Sequence, residues 1–148
     1  MFLGDALKLC PELKTLSYDF EDYKRVSKLF YETVASFTLD IEAVSCDEMF
    51  VNMKDIILET NSDPLIIAAT IRRTIFEATG CTSSAGLGRN KLIARLATRK
   101  AKPNGQYIVR DVEIDGFLGS TSVHDLPESI CRTALFLCNL IYVSDFKF

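Results

Sequence analysis

Residues 41–48 constrain the fold of this chain more than any other segment. They form a short apolar run that ends in two adjacent carboxylates, Asp47 and Glu48, and a second apolar run follows over residues 49–51. Neighbouring strand residues point to opposite faces, so an Asp-Glu pair suits the turn of a hairpin better than its core. Burial of such charges is costly unless they are paired or bind a metal. The segment therefore has two interpretations, a solvated strand end or a carboxylate pair that holds Mg²⁺ against phosphates.

A basic segment at residues 89–102 favours the second interpretation. It contains six basic side chains and no acidic one, although the net charge of the whole chain is −3. Lys91, Arg95 and Arg99 recur at a spacing of four, so on a helix they form one cationic stripe. The inward face of that helix is predicted from its apolar positions, Leu92, Ile93, Leu96 and Ala97. Positive charge concentrated in this way indicates a local phosphate site, and the alternative is an amphipathic helix with a solvated face.

Apolar periodicity and turn residues divide the rest of the chain into short elements. Further helices are predicted over residues 5–9, 20–37, 64–78 and 112–118, and strands over 41–44, 49–51, 83–87 and 107–109. Ser62 is expected to cap the helix at 64–78 and Gly80 to end it. Gly86 and Gly88 allow a close backbone approach before the basic helix, and Pro103 follows its end. This order predicts an α+β fold with helices outside a small antiparallel sheet.

Three motifs in this order resemble the palm of Y-family translesion DNA polymerases. They are Ser-Cys-Asp-Glu at residues 45–48, Ser-Ala-Gly-Leu-Gly with a following Asn-Lys at 84–91, and Ala-Lys-Pro-Asn-Gly at 101–105. Parts of residues 1–33 and residues 97–103 are similar in detail to the Rev-type deoxycytidyl transferase branch of that family. The resemblance runs from Met1 to about residue 126. It implies an α+β palm, in which helices pack on an antiparallel sheet.

The resemblance also implies a role for each matching residue. Asp47 and Glu48 would be catalytic carboxylates of a two-metal Mg²⁺ site, and Lys102 would bind the incoming triphosphate. DNA-binding roles fall on six further residues: Ser45, Arg89, Asn90, Lys91, Arg95 and Arg99. The implied activity is metal-dependent nucleotidyl transfer from dCTP to a primer on damaged template DNA, as part of DNA repair in the nucleus. Template-primer DNA and dCTP would be the partners, and other replication or repair proteins would bind through regions outside this chain.

The chain also departs from the family pattern. A complete palm has an earlier strand with another metal-binding Asp, and no residue before Asp47 fits that description. Residues 125–127 begin like the thumb's helix-hairpin-helix, but Glu128 follows where the family has a phosphate-binding Gly-x-Gly. We therefore expect a fragment, with a remnant of the fingers and the first palm helix at 1–38, the palm at 39–122 and a divergent start of the thumb at 123–148. The alternative to a working polymerase region is a catalytically dead palm that only binds DNA or acts as a scaffold.

The composition fits one globular domain. A chain of 148 residues with 48% hydrophobic and 25% charged side chains can bury a sizeable core. Its five cysteines are odd in number and lack a Cys-x-x-Cys pair, so we expect reduced, mostly buried thiols. The lone His124 is expected in a loop, without a role as a metal ligand. The apolar run at residues 133–143 is shorter than the roughly 20 residues that cross a bilayer, so no membrane partner is expected. The run predicts a buried helix or, if the thumb is missing, an exposed apolar end.

Overall fold

The structure, a computed structural model, describes residues 1–122 and 140–144. The helices of this part of the chain are α1 (Leu3–Leu9), α2 (Phe20–Ala35), α3 (Lys54–Thr60), α4 (Pro64–Thr79), α5 (Lys91–Ala101) and α6 (Ile114–Gly119). A 3₁₀ turn at Asp111–Glu113 leads into α6. The strands are β1 (Ile41–Ala43), β2 (Met49–Asn52), β3 (Ser84–Gly88), β4 (Gln106–Ile108) and β5 (Leu140–Ser144).

The five strands form one sheet in the order β1-β2-β5-β3-β4. β1 and β2 are the predicted hairpin, paired from Ile41 with Val51 to Ala43 with Met49. β5 lies antiparallel to both of its neighbours, β2 and β3. β3 and β4 are parallel, so the prediction of a purely antiparallel sheet was wrong. The strand-helix-strand order of β3, α5 and β4 is the reason, because a helical crossover returns the chain in the same direction.

Helices cover both faces of this sheet. The main core lies on one face, where side chains of α2 and α4 pack against alternate residues of β2, β3 and β5. α5 covers the other face and packs closely on β3. A Cβ atom on Gly86 would overlap the Ala94 carbonyl and the Thr98 backbone, and one on Gly88 would overlap Ile93. The two glycines therefore allow the close approach of helix and strand that the sequence predicted.

The caps of α4 were predicted in part correctly. Gly80 ends the helix with a φ of 73°, as expected for a left-handed C-cap. Its N-cap is Asp63 and not Ser62, since the Asp63 carboxylate accepts a hydrogen bond from the Leu65 amide at 2.7 Å. Both residue types cap helices well, but Asp63 stands directly before Pro64, which has no amide hydrogen and suits the first helical position.

Two further predictions differ from the structure. Residues 140–143, predicted as part of a buried helix, belong to the central strand β5. Among the cysteines, Cys81 is buried as expected, whereas the Cys10 and Cys46 thiols are free and exposed. The thumb-like residues 125–128 and His124, Cys131 and Cys138 lie outside the described residues. Within the described residues, no helix is long and apolar enough to span a membrane.

Candidate functional site

The turn that carries the two carboxylates is held in place by α2. Tyr31 donates hydrogen bonds from its hydroxyl to the Ser45 carbonyl at 2.6 Å and to the Glu48 carbonyl at 3.1 Å. One helical turn earlier, the Ser27 hydroxyl donates to the Cys46 carbonyl at 2.7 Å. Residues four apart share a helix face, so both side chains reach the same turn. The fold thus fixes the backbone from residue 45 to residue 48.

This position changes the acidity of two side chains. Burial raises the pKa of the Tyr31 hydroxyl, and the nearby Cys46, Asp47 and Glu48 raise it further. The pKa of the Cys46 thiol is also raised, first by desolvation and then by Asp47. Cys46 therefore stays a protonated thiol near neutral pH, and it lacks the electropositive surroundings that activate a nucleophilic cysteine.

Asp47 and Glu48, in the turn between β1 and β2, line different cavities. Asp47 lines a cavity of about 740 Å³ on the α2 side of the sheet. Its carboxylate accepts a hydrogen bond from the Ser45 hydroxyl at 2.5 Å. The wall of this cavity is aromatic, with Tyr18 and Phe20 stacked at 5.6 Å between ring centroids and Tyr23 against both rings.

Glu48 lines a second cavity, of about 190 Å³, on the α5 side. Glu48 and three of the predicted cationic residues line this cavity, namely Arg95, Arg99 and Lys102. Arg95 and Arg99 lie one turn apart on α5, and Lys102 is its C-cap. We name this cavity, together with Glu48 and these three cationic side chains, the basic cavity. It joins the carboxylate turn to the part of α5 that the sequence singled out, although the two segments are far apart in the chain.

The predicted site residues at the start of α5 have other contacts. Asn90 is the N-cap, and its side chain accepts a hydrogen bond from the Ile93 amide at 2.9 Å. Lys91 forms an ion pair with Glu42 and places its ammonium 5.7 Å from the centre of the Phe50 ring.

The third of these residues, Arg89, lies 4.0 Å from a carboxylate oxygen of Asp111. With a rise of 1.5 Å per residue, Lys91 lies about 6 Å along the helix axis from Arg95. Arg89, Asn90 and Lys91 are near the basic cavity but do not line it.

The donor set of the turn matches one class of metal. Mg²⁺ takes oxygen ligands and is commonly held by one or two carboxylates together with substrate phosphates. Asp47 and Glu48 supply such oxygens, and the neighbouring basic cavity offers charges for the phosphates. No group of three or more His, Cys, Asp or Glu side chains placed to hold a metal occurs among residues 1–122 and 140–144. The described residues fit Mg²⁺ only as a site that substrate oxygens complete.

Sequence reasoning missed two parts of the site. The clamp made by Ser27 and Tyr31 has a weak sequence signal, a pair of polar residues four apart in an otherwise amphipathic helix. The aromatic wall has a stronger one, since three aromatic residues, Tyr18, Phe20 and Tyr23, cluster at the start of α2. Neither signal indicates that α2 packs against the carboxylate turn, because that contact is set by the tertiary fold.

The fold and the motifs of the turn and α5 place the chain in a known class. The family model described as the impB/mucB/samB family matches residues 1–99. The chain therefore belongs to this family, the Y family of DNA polymerases, as the sequence motifs predicted. Members of the family use metal ions.

Particular relatives support the resemblance to the Rev-type branch. The chain is 56% identical over 128 residues to DNA repair protein Rev1 of Drosophila melanogaster and 40% identical over 127 residues to DNA repair protein REV1 of Arabidopsis thaliana. Each alignment covers 86% of this chain, but only 13% of the fly protein and 11% of the plant protein. DNA polymerase IV of Francisella tularensis is 40% identical over 82% of this chain and 33% of its own length.

Solved structures agree on the fold. An insertion ternary complex of Dbh DNA polymerase superimposes with a TM-score of 0.78 over 86% of this chain and 37% of that one, at 23% identity. DinB from Sulfolobus solfataricus gives a TM-score of 0.77 over 85% and 37% of the two chains, at 22% identity. At this identity the likeness establishes the fold, and the roles of individual residues need separate support.

Proposed function

We propose that this chain is the palm region of a translesion DNA polymerase of the deoxycytidyl transferase type, and that it takes part in DNA repair. The reaction is transfer of dCMP from dCTP to a primer on damaged template DNA. One observation carries the proposal: the basic cavity places Arg95, Arg99 and Lys102 beside Glu48 of the carboxylate turn. A polyphosphate needs cationic side chains, and the metal that accompanies it needs carboxylates, so a site for both requires the two kinds of side chain next to each other.

In this proposal each side chain has a defined task. Asp47 and Glu48 would hold Mg²⁺ through their carboxylate oxygens, and the metal would supply positive charge against the triphosphate. Lys102 at the end of α5 contacts the triphosphate as a flexible point charge. Arg95 and Arg99 bind phosphates through their planar guanidinium groups. The clamp made by Ser27 and Tyr31 keeps the carboxylate backbone in one position while phosphates exchange.

The remaining predicted contacts are made to the DNA backbone. Ser45 lies in the turn, where its hydroxyl orients Asp47, and its position suits contact with the primer strand. Arg89, Asn90 and Lys91 stand at the start of α5, where Lys91 lies about 6 Å along the helix axis from Arg95 and about 15 Å from the C-terminal end of the helix. A duplex phosphate chain that follows α5 would reach both ends. Lys91 and Arg89 would then exchange their carboxylate partners for phosphates.

The proposal includes a division of the chain and a cellular setting. Residues 39–122 form the palm, and residues 1–38 belong to the fingers and first palm helix. A divergent thumb begins at residue 123, but the 123–148 segment also contains β5, which is the central strand of the palm sheet. The protein acts in the nucleus, and other replication or repair proteins reach it through regions outside this chain.

The catalytic part of the proposal is tested by Asp47→Asn in the complete polymerase that contains this region. The substitution keeps the size of the side chain but removes its charge, so metal-dependent incorporation of dCMP should be abolished. Asp115→Asn, on the exposed surface of α6, is the matched control and should retain full incorporation. Primer extension with dCTP measures both. Retained incorporation by Asp47→Asn would refute the role of this carboxylate.

The second candidate function is a palm that binds DNA without catalysis. It is favoured by the finding that the turn carries two carboxylates and that no group of three or more possible metal ligands occurs in the part of the chain the structure describes. Both candidates predict that the double substitution Arg95→Gln with Arg99→Gln lowers the salt dependence of DNA binding by about two units of slope. Only the catalytic candidate predicts that Mg²⁺ supports turnover. Arg25→Gln with Arg73→Gln, both exposed and already ion-paired, should leave the slope unchanged.

A further inference from the structure

A tight turn follows the lysine at the end of α5. Lys102 is the C-cap of α5 and lines the basic cavity, and residues 103–105 lead from it into β4. Asn104 has a φ of 46°, in the left-handed region of backbone conformation. A Cβ atom on Gly105 would overlap the Ala101 carbonyl, so the turn packs directly on the last residues of α5. We name residues 103–105 the lysine turn.

The guanidinium of Arg72, on α4, contacts both the lysine turn and the chain beside it. Its Nη2 donates to the side-chain oxygen of Asn104 at 2.7 Å, and its Nη1 donates to Gln106 Oε1 at 3.2 Å. Its Nε donates to the Ser83 carbonyl at 2.7 Å, directly before β3. One planar side chain thus joins the lysine turn to the start of the neighbouring strand through donors of fixed relative geometry.

Further contacts hold the end of the lysine turn. Gln106 Nε2 donates to the Leu65 carbonyl at 2.8 Å, about two helical turns before Arg72 on α4. The Gln106 side chain is therefore bonded through both its oxygen and its nitrogen. From the other side, the Ala85 amide donates to the Gly105 carbonyl at 3.0 Å. The end of the lysine turn is thus fixed to both α4 and β3.

The partners of Arg72 indicate that its geometry matters more than its charge. Partial burial lowers the pKa of the Arg72 guanidinium, because desolvation disfavours the charged form. The acceptors at its three contacts are neutral oxygens, one from a backbone carbonyl and two from side-chain amides. Neutral acceptors offset the desolvation of a charge less than a carboxylate would. A planar fork nevertheless reaches the start of β3 and the lysine turn at once, which a single amine cannot do.

The lysine turn and the carboxylate turn lie at the same edge of the sheet. Val143 of β5 pairs with Met49 on one side and with Ala85 on the other, so Met49 and Ala85 are at the same level of the sheet. Met49 directly follows Glu48 of the carboxylate turn, and the Ala85 amide bonds the lysine turn. Side chains that fix the lysine turn therefore act at the edge that carries the basic cavity.

We propose that Arg72 is a positioning residue for the phosphate-binding Lys102, and that it acts through Asn104 and the lysine turn. This inference rests on the proposed function, in which Lys102 contacts the triphosphate. Arg72 lies on α4, across the sheet from α5, so it acts through the chain and not by contact with phosphate. Because the chain after Lys102 is already fixed, little of the triphosphate's interaction energy is spent on ordering it.

The test measures kcat and KM for dCTP in the complete polymerase that contains this region. Arg72→Lys keeps the charge but cannot span the three acceptors, so KM for dCTP should rise about fivefold, the factor that corresponds to one ordinary hydrogen bond. The value of kcat should stay unchanged, since this contact binds substrate and transition state alike. A role in folding alone would lower the fraction of active enzyme, and hence the apparent kcat, without a change in KM. The exposed neighbour Arg73→Lys is the control and should change neither constant.

A second substitution tests the same path from the other end. Asn104→Gly removes the oxygen that Arg72 contacts, and glycine adopts a positive φ without strain, so KM should again rise about fivefold. Asn61→Gly is its matched control, because Asn61 also has a positive φ, of 49°, but lies at the end of α3. The double variant of Arg72→Lys with Asn104→Gly should raise KM little more than Arg72→Lys alone, whereas independent effects would multiply to about 25-fold.

Lys102→Gln separates this inference from the proposed function. It should raise KM for dCTP more than Arg72→Lys does, because it removes the phosphate contact itself. An unchanged KM in Lys102→Gln would refute the proposed role of this lysine, and the role of Arg72 with it. A raised KM in Lys102→Gln with unchanged KM in Arg72→Lys and Asn104→Gly would refute the positioning role alone. If Arg72→Lys does not fold, the comparison of Asn104→Gly with Asn61→Gly decides.

Discussion

Replacement of Tyr31 by phenylalanine tests the clamp on the carboxylate turn. The tyrosine hydroxyl donates to the Ser45 and Glu48 carbonyls, and the substitution removes only that oxygen. The Glu48 carbonyl keeps two other donors, the amides of Val44 and Ser45 at 2.9 and 3.1 Å. The exposed Ser45 carbonyl can turn to water. The net loss is therefore close to that of one ordinary hydrogen bond, about 1 kcal/mol in the free energy of unfolding.

For a chain of this length, that loss lowers the melting temperature by about 2–4 °C. Thermal unfolding followed by circular dichroism measures it. Tyr107→Phe is the matched control, because Tyr107 is 40% exposed on the edge strand β4 and its loss of a hydroxyl should change the free energy of unfolding by less than about 0.5 kcal/mol. Equal melting temperatures for the two variants would refute the clamp.

The pH dependence of stability, compared between the unaltered chain and Tyr31→Phe, is a second test of the clamp. Burial and the nearby acidic groups raise the pKa of Tyr31 in the folded chain above its ordinary value. A raised pKa means that the folded state holds the proton more tightly than the unfolded state does. The stabilising effect is therefore complete below the unfolded pKa of about 10 and is lost as the pH rises through the higher folded pKa. The unaltered chain should lose stability above about pH 10 more steeply than Tyr31→Phe, as urea unfolding at pH 7, 9 and 11 would measure.

Two further substitutions test the packing around the site. Gly86→Ala should lower the free energy of unfolding by about 3 kcal/mol, because its Cβ would meet backbone atoms of α5 that cannot move aside. Gly4→Ala is the control, since its Cβ would enter open space and should not destabilise the chain. Equal urea midpoints for the two variants would contradict the close packing of α5 on β3. Arg72→Lys should lower the free energy of unfolding by about 2 kcal/mol, because the Arg72 guanidinium bonds the chain before β3 to the chain around β4. Arg73→Lys, at an exposed position, is the control and should lower it by less than about 0.5 kcal/mol in the same urea measurement. An unchanged midpoint for Arg72→Lys would show that a single amine can replace this three-way contact.

Local patterns in the sequence predicted the parts of the site that are local. The hairpin with its carboxylate turn and the inward face of α5 follow from alternation and from the helical period. The structure confirms the hairpin and buries Ile93, Leu96 and Ala97 of the predicted face, whereas Leu92 is only half-buried. The three-residue strand β4 was also found, but not its direction, which depends on the crossover through α5. The short helix α3 was not predicted.

The failures that matter most concern long-range contacts. The apolar run that ends in β5 was assigned to a helix, because a continuous apolar run has no period that separates a buried strand from a buried helix. The cationic stripe on α5 was predicted as one surface, but its first member, Lys91, is neutralised by Glu42 from β1. That partner lies far away in the chain, and nothing in the sequence around Lys91 indicates it.

The clamp from α2 has a consequence for the entropy of ligand binding. A free loop of four residues loses conformational freedom when a ligand orders it, at roughly 1–2 kcal/mol per residue. Here Ser27 and Tyr31 already fix the carbonyls of residues 45, 46 and 48 when the protein folds. A metal or phosphate that reaches this turn therefore meets an ordered backbone, and little of its interaction energy is spent on ordering the turn. The folding of a helix elsewhere in the chain has thus lowered the ordering cost of the turn in advance.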